Sequence, residues 1–233
     1  MNIFQLQYRV GRWDRSWVHK GFAFIFSFVI MGLLLNHSVS VYSAQSDSAR
    51  LLVMGDSLSA AYGMPTEQGW VALLQQKLDA QTKEIGRPIQ LVNGSLSGET
   101  TSGGLQRLPA LLKQHQPRYV IIELGANDAL RGQNLQVTQR NLARMIEHSQ
   151  QVGAKVLLLG IRLPTNYGPA YDAALGRVYT RLAEQYNVPL DPFFLEDIAL
   201  EPDMMQDDGL HPNAQAQPII MQRIWRLIET WVK

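Results

Sequence analysis

Leu51-Leu52-Val53-Met54-Gly55-Asp56-Ser57-Leu58-Ser59 decides how this chain is read. An apolar run that stops in Gly-Asp-Ser predicts a buried strand whose carboxyl end presents a hydroxyl, the edge where open α/β sheets hold their ligands. Further apolar, β-prone runs follow at 89–92, 119–124, 155–161 and 188–190. Helical spacing recurs between and after them: Trp70, Val71, Leu73, Leu74, Leu78; Leu105, Leu108, Leu111, Leu112; Leu142, Met145, Ile146, Val152; Ile219, Ile220, Ile224, Leu227, Ile228. Runs apolar on both faces fit parallel strands covered by helices on two sides. An α/β fold is expected, a three-layer α/β/α sandwich on a parallel sheet. Loops leaving the same end of such a sheet line one crevice, so Ser57, Gly98, Asn127 and the loop of Tyr167 should converge.

The 233 residues, 46% of them hydrophobic, suffice for one core of ordinary size. Ahead of it, Arg9, Arg12, Arg15 and Lys20 precede an apolar segment at 21–35 and then small and polar residues. That order reads as a secretory signal over residues 1–43, cut near Ser43 or Ala44, with the domain at 44–233. An uncleaved N-terminal anchor is the alternative, and either way the domain is exported, to the periplasm in this reading. The leader's four basic residues against Asp14 turn a formal charge of +1 into about −2 for the remainder. Such a balance, with no basic cluster interleaved with aromatics, gives no case for a nucleic-acid partner. Cysteine is absent, which removes disulfides, thiolate nucleophiles and cysteine-bound metals.

A serine at a strand's end needs a base. Beyond residue 43 the chain has three histidines, and His115 and His148 stand in polar, helix-patterned surroundings that suit a solvated surface. His211 lies in Asp207-Asp208-Gly209-Leu210-His211-Pro212-Asn213, where a turn can fold Asp208 back onto the imidazole while Asp207 has the wrong spacing. A neutral imidazole can take the Ser57 proton, and a carboxylate can hold its other nitrogen. Ser59, Ser95 and Ser97 are rival hydroxyls, but only Ser57 falls directly after the first run. Helix capping by Ser57, and turn formation by Asp208 and Asn213, are the plainer readings. Acyl transfer also needs donors for a developing oxyanion. Gly98 permits a close backbone approach, and Asn127 carries an uncharged amide. Gly-x-Ser-x-Gly is missing at Ser57, which disfavours the α/β-hydrolase elbow.

These four stretches together resemble the SGNH, or GDSL, hydrolase family, whose blocks supply Ser, Gly, Asn and His in that order: Ser57, Gly98, Asn127 and His211 here. The similarity runs from about Leu51 onward. Within the family it is greatest to the bacterial exported acyl-CoA thioesterase I / protease I / lysophospholipase group, through the stretches 55–60, 111–118, 161–168 and 206–213. Residues 79–88 are longer than that group needs, and Ala126 stands where a second glycine is usual. The resemblance implies a flavodoxin-like sheet, Ser57 as nucleophile, His211 as acid and base, and Asp208 orienting it. It further implies an oxyanion hole of the Ser57 and Gly98 N–H groups and the Asn127 amide, with no metal and no cofactor.

The expected activity is hydrolysis of single-acyl-chain esters and thioesters by a monomer, with Leu163, Pro164, Tyr167, Ala129 and Leu130 as an apolar wall for the chain. Export favours lysophospholipids over acyl-CoA. A carbohydrate acetyl esterase of the same scaffold and a non-catalytic secreted binding protein are the alternatives. The second lacks any phosphate-cradling glycine loop after the first strand.

Overall fold

In the computed structural model, which describes residues 48–232, the decisive apolar run is strand β1, Ala49–Gly55. Helix α1 (Trp70–Ala80) and a short α2 (Thr82–Ile85) lead to β2 (Ile89–Asn93), α3 (Thr101–His115) and β3 (Tyr119–Glu123). Next come α4 (Ala126–Leu130), α5 (Leu135–Gln151) and β4 (Lys155–Leu159). Helix α6 (Pro169–Tyr186), the short β5 (Leu190–Asp191) and α7 (Gln217–Val232) complete the domain. The expected secretory segment lies outside the described residues.

All strands pair in parallel, in the order β2-β1-β3-β4-β5. This is the flavodoxin-like arrangement, and its direction reverses between β1 and β3, where a crevice opens at the strands' carboxyl ends. Register decides which residues meet there: Gly55 of β1 pairs with Glu123 of β3. Every residue of β3 is buried, and β1 and β4 nearly so, because helices cover both faces. Helix α1 packs with α7, while α3 packs with α5 and α5 with α6. Right-handed crossovers place these two groups on opposite faces of the sheet.

Trp70, fully buried at the start of α1, donates its backbone N–H to Gln217 Oε1 (2.9 Å) and its indole N–H to the Leu58 carbonyl (3.1 Å). One residue thereby ties α1 and α7 to the turn that carries Ser57. Trp70→Ala should cost about 3–5 kcal/mol, seen as a lower urea midpoint. A loss below about 1 kcal/mol would show that the turn is held by something else.

Three details depart from the sequence reading. Helix α6 occupies a stretch where the spacing picks out no helix, because its buried face mixes Asp172 and Tyr179 with Leu175, Val178 and Leu182. Those polar groups are buried with partners: Asp172 accepts from Arg162 Nε (2.7 Å) and the Leu163 N–H (2.8 Å), and the Tyr179 hydroxyl donates to the Leu124 carbonyl (3.1 Å). Val152 caps α5 and is exposed instead of joining its apolar face, and Ile219, in the first turn of α7, is likewise exposed.

Candidate active site

Ser57 sits in the turn after β1, held by backbone hydrogen bonds from the Ala60 N–H to the Asp56 carbonyl (3.0 Å) and from the Tyr62 N–H to the Ser57 carbonyl (3.3 Å). It caps no helix. Its Oγ lies 2.9 Å from His211 Nε2, across 154 residues of chain, and His211 Nδ1 lies 2.6 Å from Asp208 Oδ2. The short contact to a carboxylate puts the ring proton on Nδ1, which leaves Nε2 to accept from the Ser57 hydroxyl.

The loop behind His211 is built to hold that geometry. Asp208 Oδ1 accepts the N–H groups of Leu210 (2.9 Å) and His211 (3.0 Å), so Asp208 makes the turn and orients the ring at once. Gly209, in the left-handed region at φ 63°, lets the chain reverse between them. Partial burial works against charge on Asp208, but the backbone and ring of His211 and the Leu210 N–H outweigh it and hold the carboxyl at about 2. It stays ionised through the neutral range. Gln206 fastens this loop to the nucleophile turn by donating from Nε2 to the Tyr62 carbonyl (2.8 Å) and the Pro212 carbonyl (3.1 Å). Tyr62 lies against the imidazole, ring centroids 4.4 Å apart. Asn213 Oδ1 accepts from the Gln215 N–H (2.9 Å), which meets the turn role expected of it.

The loops after β2 and β3 reach the same place. The Leu96 N–H donates to the Gly55 carbonyl (3.1 Å) and Asn93 Nδ2 to the Ser59 carbonyl (2.9 Å), which binds the Gly98 loop to the end of β1. Gly98 is exposed with φ 77°, and its carbonyl accepts from Arg131 Nη2 (3.1 Å). Asn127, in the first turn of α4, donates from Nδ2 to Asp56 Oδ2 (3.0 Å). Asp128 beside it is wholly buried and accepts from the Thr101 N–H (2.8 Å) and hydroxyl, which locks α4 to the start of α3.

The anticipated apolar wall needs correction. Ala129 is 0% exposed, because α4 turns Ala126 and Ala129 into the core and Asn127 and Leu130 outward. It lines no open surface. Leu163 is buried too, fixed by its N–H to Asp172, whereas Pro164 and Leu130 are half-buried and Tyr167 is exposed. The Tyr167 hydroxyl donates to the Leu130 carbonyl (3.3 Å), so these two loops do meet. The depression beside Ser57 is lined instead by Leu58, Ala61, Tyr62, Met64, Pro212 and Gln217. Among the described residues no group of three or more His, Asp or Glu side chains is arranged to hold a metal ion.

A hydroxyl hydrogen-bonded to an imidazole that is itself oriented by a carboxylate, at the switch point of a doubly wound sheet, defines a serine hydrolase. Residues 53–218 match the GDSL-like Lipase/Acylhydrolase family, and the chain belongs to it. It is 51% identical over 181 residues to the esterase TesA of Pseudomonas aeruginosa, covering 78% of this chain and 88% of that one. It is 49% identical over 170 residues to the thioesterase 1/protease 1/lysophospholipase L1 of Escherichia coli, covering 73% and 78%. The crystal structure of the psychrotrophic esterase EstA from Pseudoalteromonas sp., inhibited by monoethylphosphonate, superposes with a TM-score of 0.74 at 45% identity, covering 79% of this chain and 99% of that one.

Proposed function

We propose that this protein is an exported esterase and thioesterase that cleaves single-acyl-chain lipids through an acyl-serine intermediate. The Ser57–His211–Asp208 chain of contacts, 2.9 Å and then 2.6 Å, carries the reading. Ser57 Oγ attacks the substrate carbonyl carbon as its proton passes to His211 Nε2. The resulting oxyanion takes hydrogen bonds from the Ser57 and Gly98 N–H groups and from the second amide hydrogen of Asn127. Collapse expels the alcohol or thiol, which leaves with the proton from His211. Water, activated by the same imidazole, then attacks the acyl-serine and restores Ser57 and the free acid. No step passes through a metal or cofactor.

The names of the relatives support ester and thioester substrates, among them the lysophospholipids of the Escherichia coli protein. Tyr62 and Met64 beside Ser57, with Leu130, Pro164 and Tyr167 on neighbouring loops, offer an acyl chain apolar contact. Residues 1–43 act in this reading as the secretory signal, which delivers a monomer to the periplasm where membrane lipid fragments are at hand. The test is an acyl-length panel of p-nitrophenyl esters and lysophospholipids on the purified protein. Rising kcat/KM with chain length supports a lipid substrate, and acetyl-only activity overturns it.

One further outcome follows from the mechanism. Asn127→Ala should lower kcat by about 10²–10³ with little change in KM, because the amide acts on charge present only in the transition state. An unchanged kcat would move the donor elsewhere.

A further inference from the structure

Directly behind Ser57 the fold buries two carboxyl groups that this chemistry leaves unused. Asp56 and Glu123 are each 1% exposed, brought side by side by the register that pairs Gly55 with Glu123. Glu123 Oε2 accepts from the Ser59 hydroxyl (2.8 Å) and from the Asp56 N–H (3.2 Å). Asp56 Oδ1 accepts the Leu58 N–H (3.0 Å), and its Oδ2 accepts the Asn127 amide (3.0 Å).

Two neighbouring carboxyls in a dry interior do not both carry charge. Burial and the neighbouring Asp56 push Glu123 well above the usual carboxylate range. Burial raises Asp56 only to about 6, because the Leu58 N–H, the Asn127 amide and the nearby His211 pull the other way. At neutral pH the charge therefore sits on Asp56 and the proton on Glu123. The Asn127 amide has a donor end and an acceptor end of nearly equal size, and packing alone does not choose between them. An ionised oxygen accepts only, so it selects the nitrogen. That leaves the second N–H of the same nitrogen for the reacting carbonyl.

We propose that Asp56, whose Oδ2 accepts from the Asn127 amide, is a positioning residue that fixes the donor end of that amide toward the substrate oxygen. The idea rests on the oxyanion role given to Asn127 above, and Asp56 itself touches no reacting atom.

The test compares kcat and KM on a p-nitrophenyl ester for Asp56→Asn, Asn127→Ala, the double variant, Glu123→Ala and Glu123→Gln, each checked for folding by circular dichroism. Asp56→Asn should lower kcat about 10- to 100-fold at nearly constant KM. Placed on Asn127→Ala it should cost less than about twofold more, since its effect runs through that amide. Glu123→Ala should impair kcat, and Glu123→Gln should restore most of it, because a neutral amide can replace a neutral acid. Additive losses in the double variant, or full activity in Asp56→Asn, overturn the proposal while leaving the oxyanion assignment standing. Full activity in Asn127→Ala removes the assignment and the proposal with it. If Asp56→Asn does not fold, the glutamates decide: recovery in Glu123→Gln supports the idea, and a tenfold or greater loss in a folded Glu123→Gln defeats it.

Discussion

Ser57→Ala is expected to give a folded protein whose turnover of a p-nitrophenyl ester falls by about 10⁶, the scale seen when a serine hydrolase loses its nucleophile. Folding should survive because, among the described residues, the Ser57 Oγ hydrogen-bonds only to His211 Nε2, whereas the turn around it is held by backbone bonds at Asp56, Ser57 and Tyr62 and by the Trp70 indole on the Leu58 carbonyl. Among the described residues no other hydroxyl is hydrogen-bonded to His211. Ser59 is buried and donates its hydroxyl to Glu123. A fluorophosphonate should therefore label the wild type on the peptide containing Ser57 and leave the variant unlabelled. Turnover within tenfold of wild type, or labelling at a different serine, would refute the nucleophile.

How far the sequence could be read depended on how local the cause was. Strands β1, β3 and β4 show as apolar runs because helices bury both faces, and Ser57 shows because the run stops at it. The pairing of Ser57 with His211 was legible only as residue types in order. Their contact comes from topology, which returns the chain end to the mouth of β1. Helix α6 escaped because Asp172 and Tyr179 on its buried face are satisfied by Arg162 and the Leu124 carbonyl, partners that no periodicity displays. Gln206 gave no sign of its role, since its side-chain hydrogen bond to the Tyr62 carbonyl, 144 residues away, exists only once the two turns meet. Glu123 did leave a trace: a charged residue in an otherwise apolar run that is buried throughout must have partners, and Ser59 and Asp56 are those partners. Ala129 failed as a wall residue for a helical reason, since neighbours of an outward-facing Asn127 on so short a helix turn inward.

Asp208→Asn should lower kcat by about 10³–10⁴ while barely changing the fold. The single oxygen of the new amide can still accept the Leu210 and His211 N–H groups, so the turn is preserved. Its nitrogen then faces His211 Nδ1 as a donor. The ring can answer only by moving its proton to Nε2, the atom that must be empty to accept from Ser57. Loss of the carboxylate also removes the charge that stabilises the imidazolium formed during attack. Both effects appear in kcat and neither in ground-state binding, so KM should change little. The imidazole Nδ1 resonance in proton NMR offers an independent check, because the strongly deshielded proton expected of a 2.6 Å contact should vanish in the variant. A variant with normal kcat and that resonance intact would mean that another group orients His211, and Asp208 would be left with the turn alone.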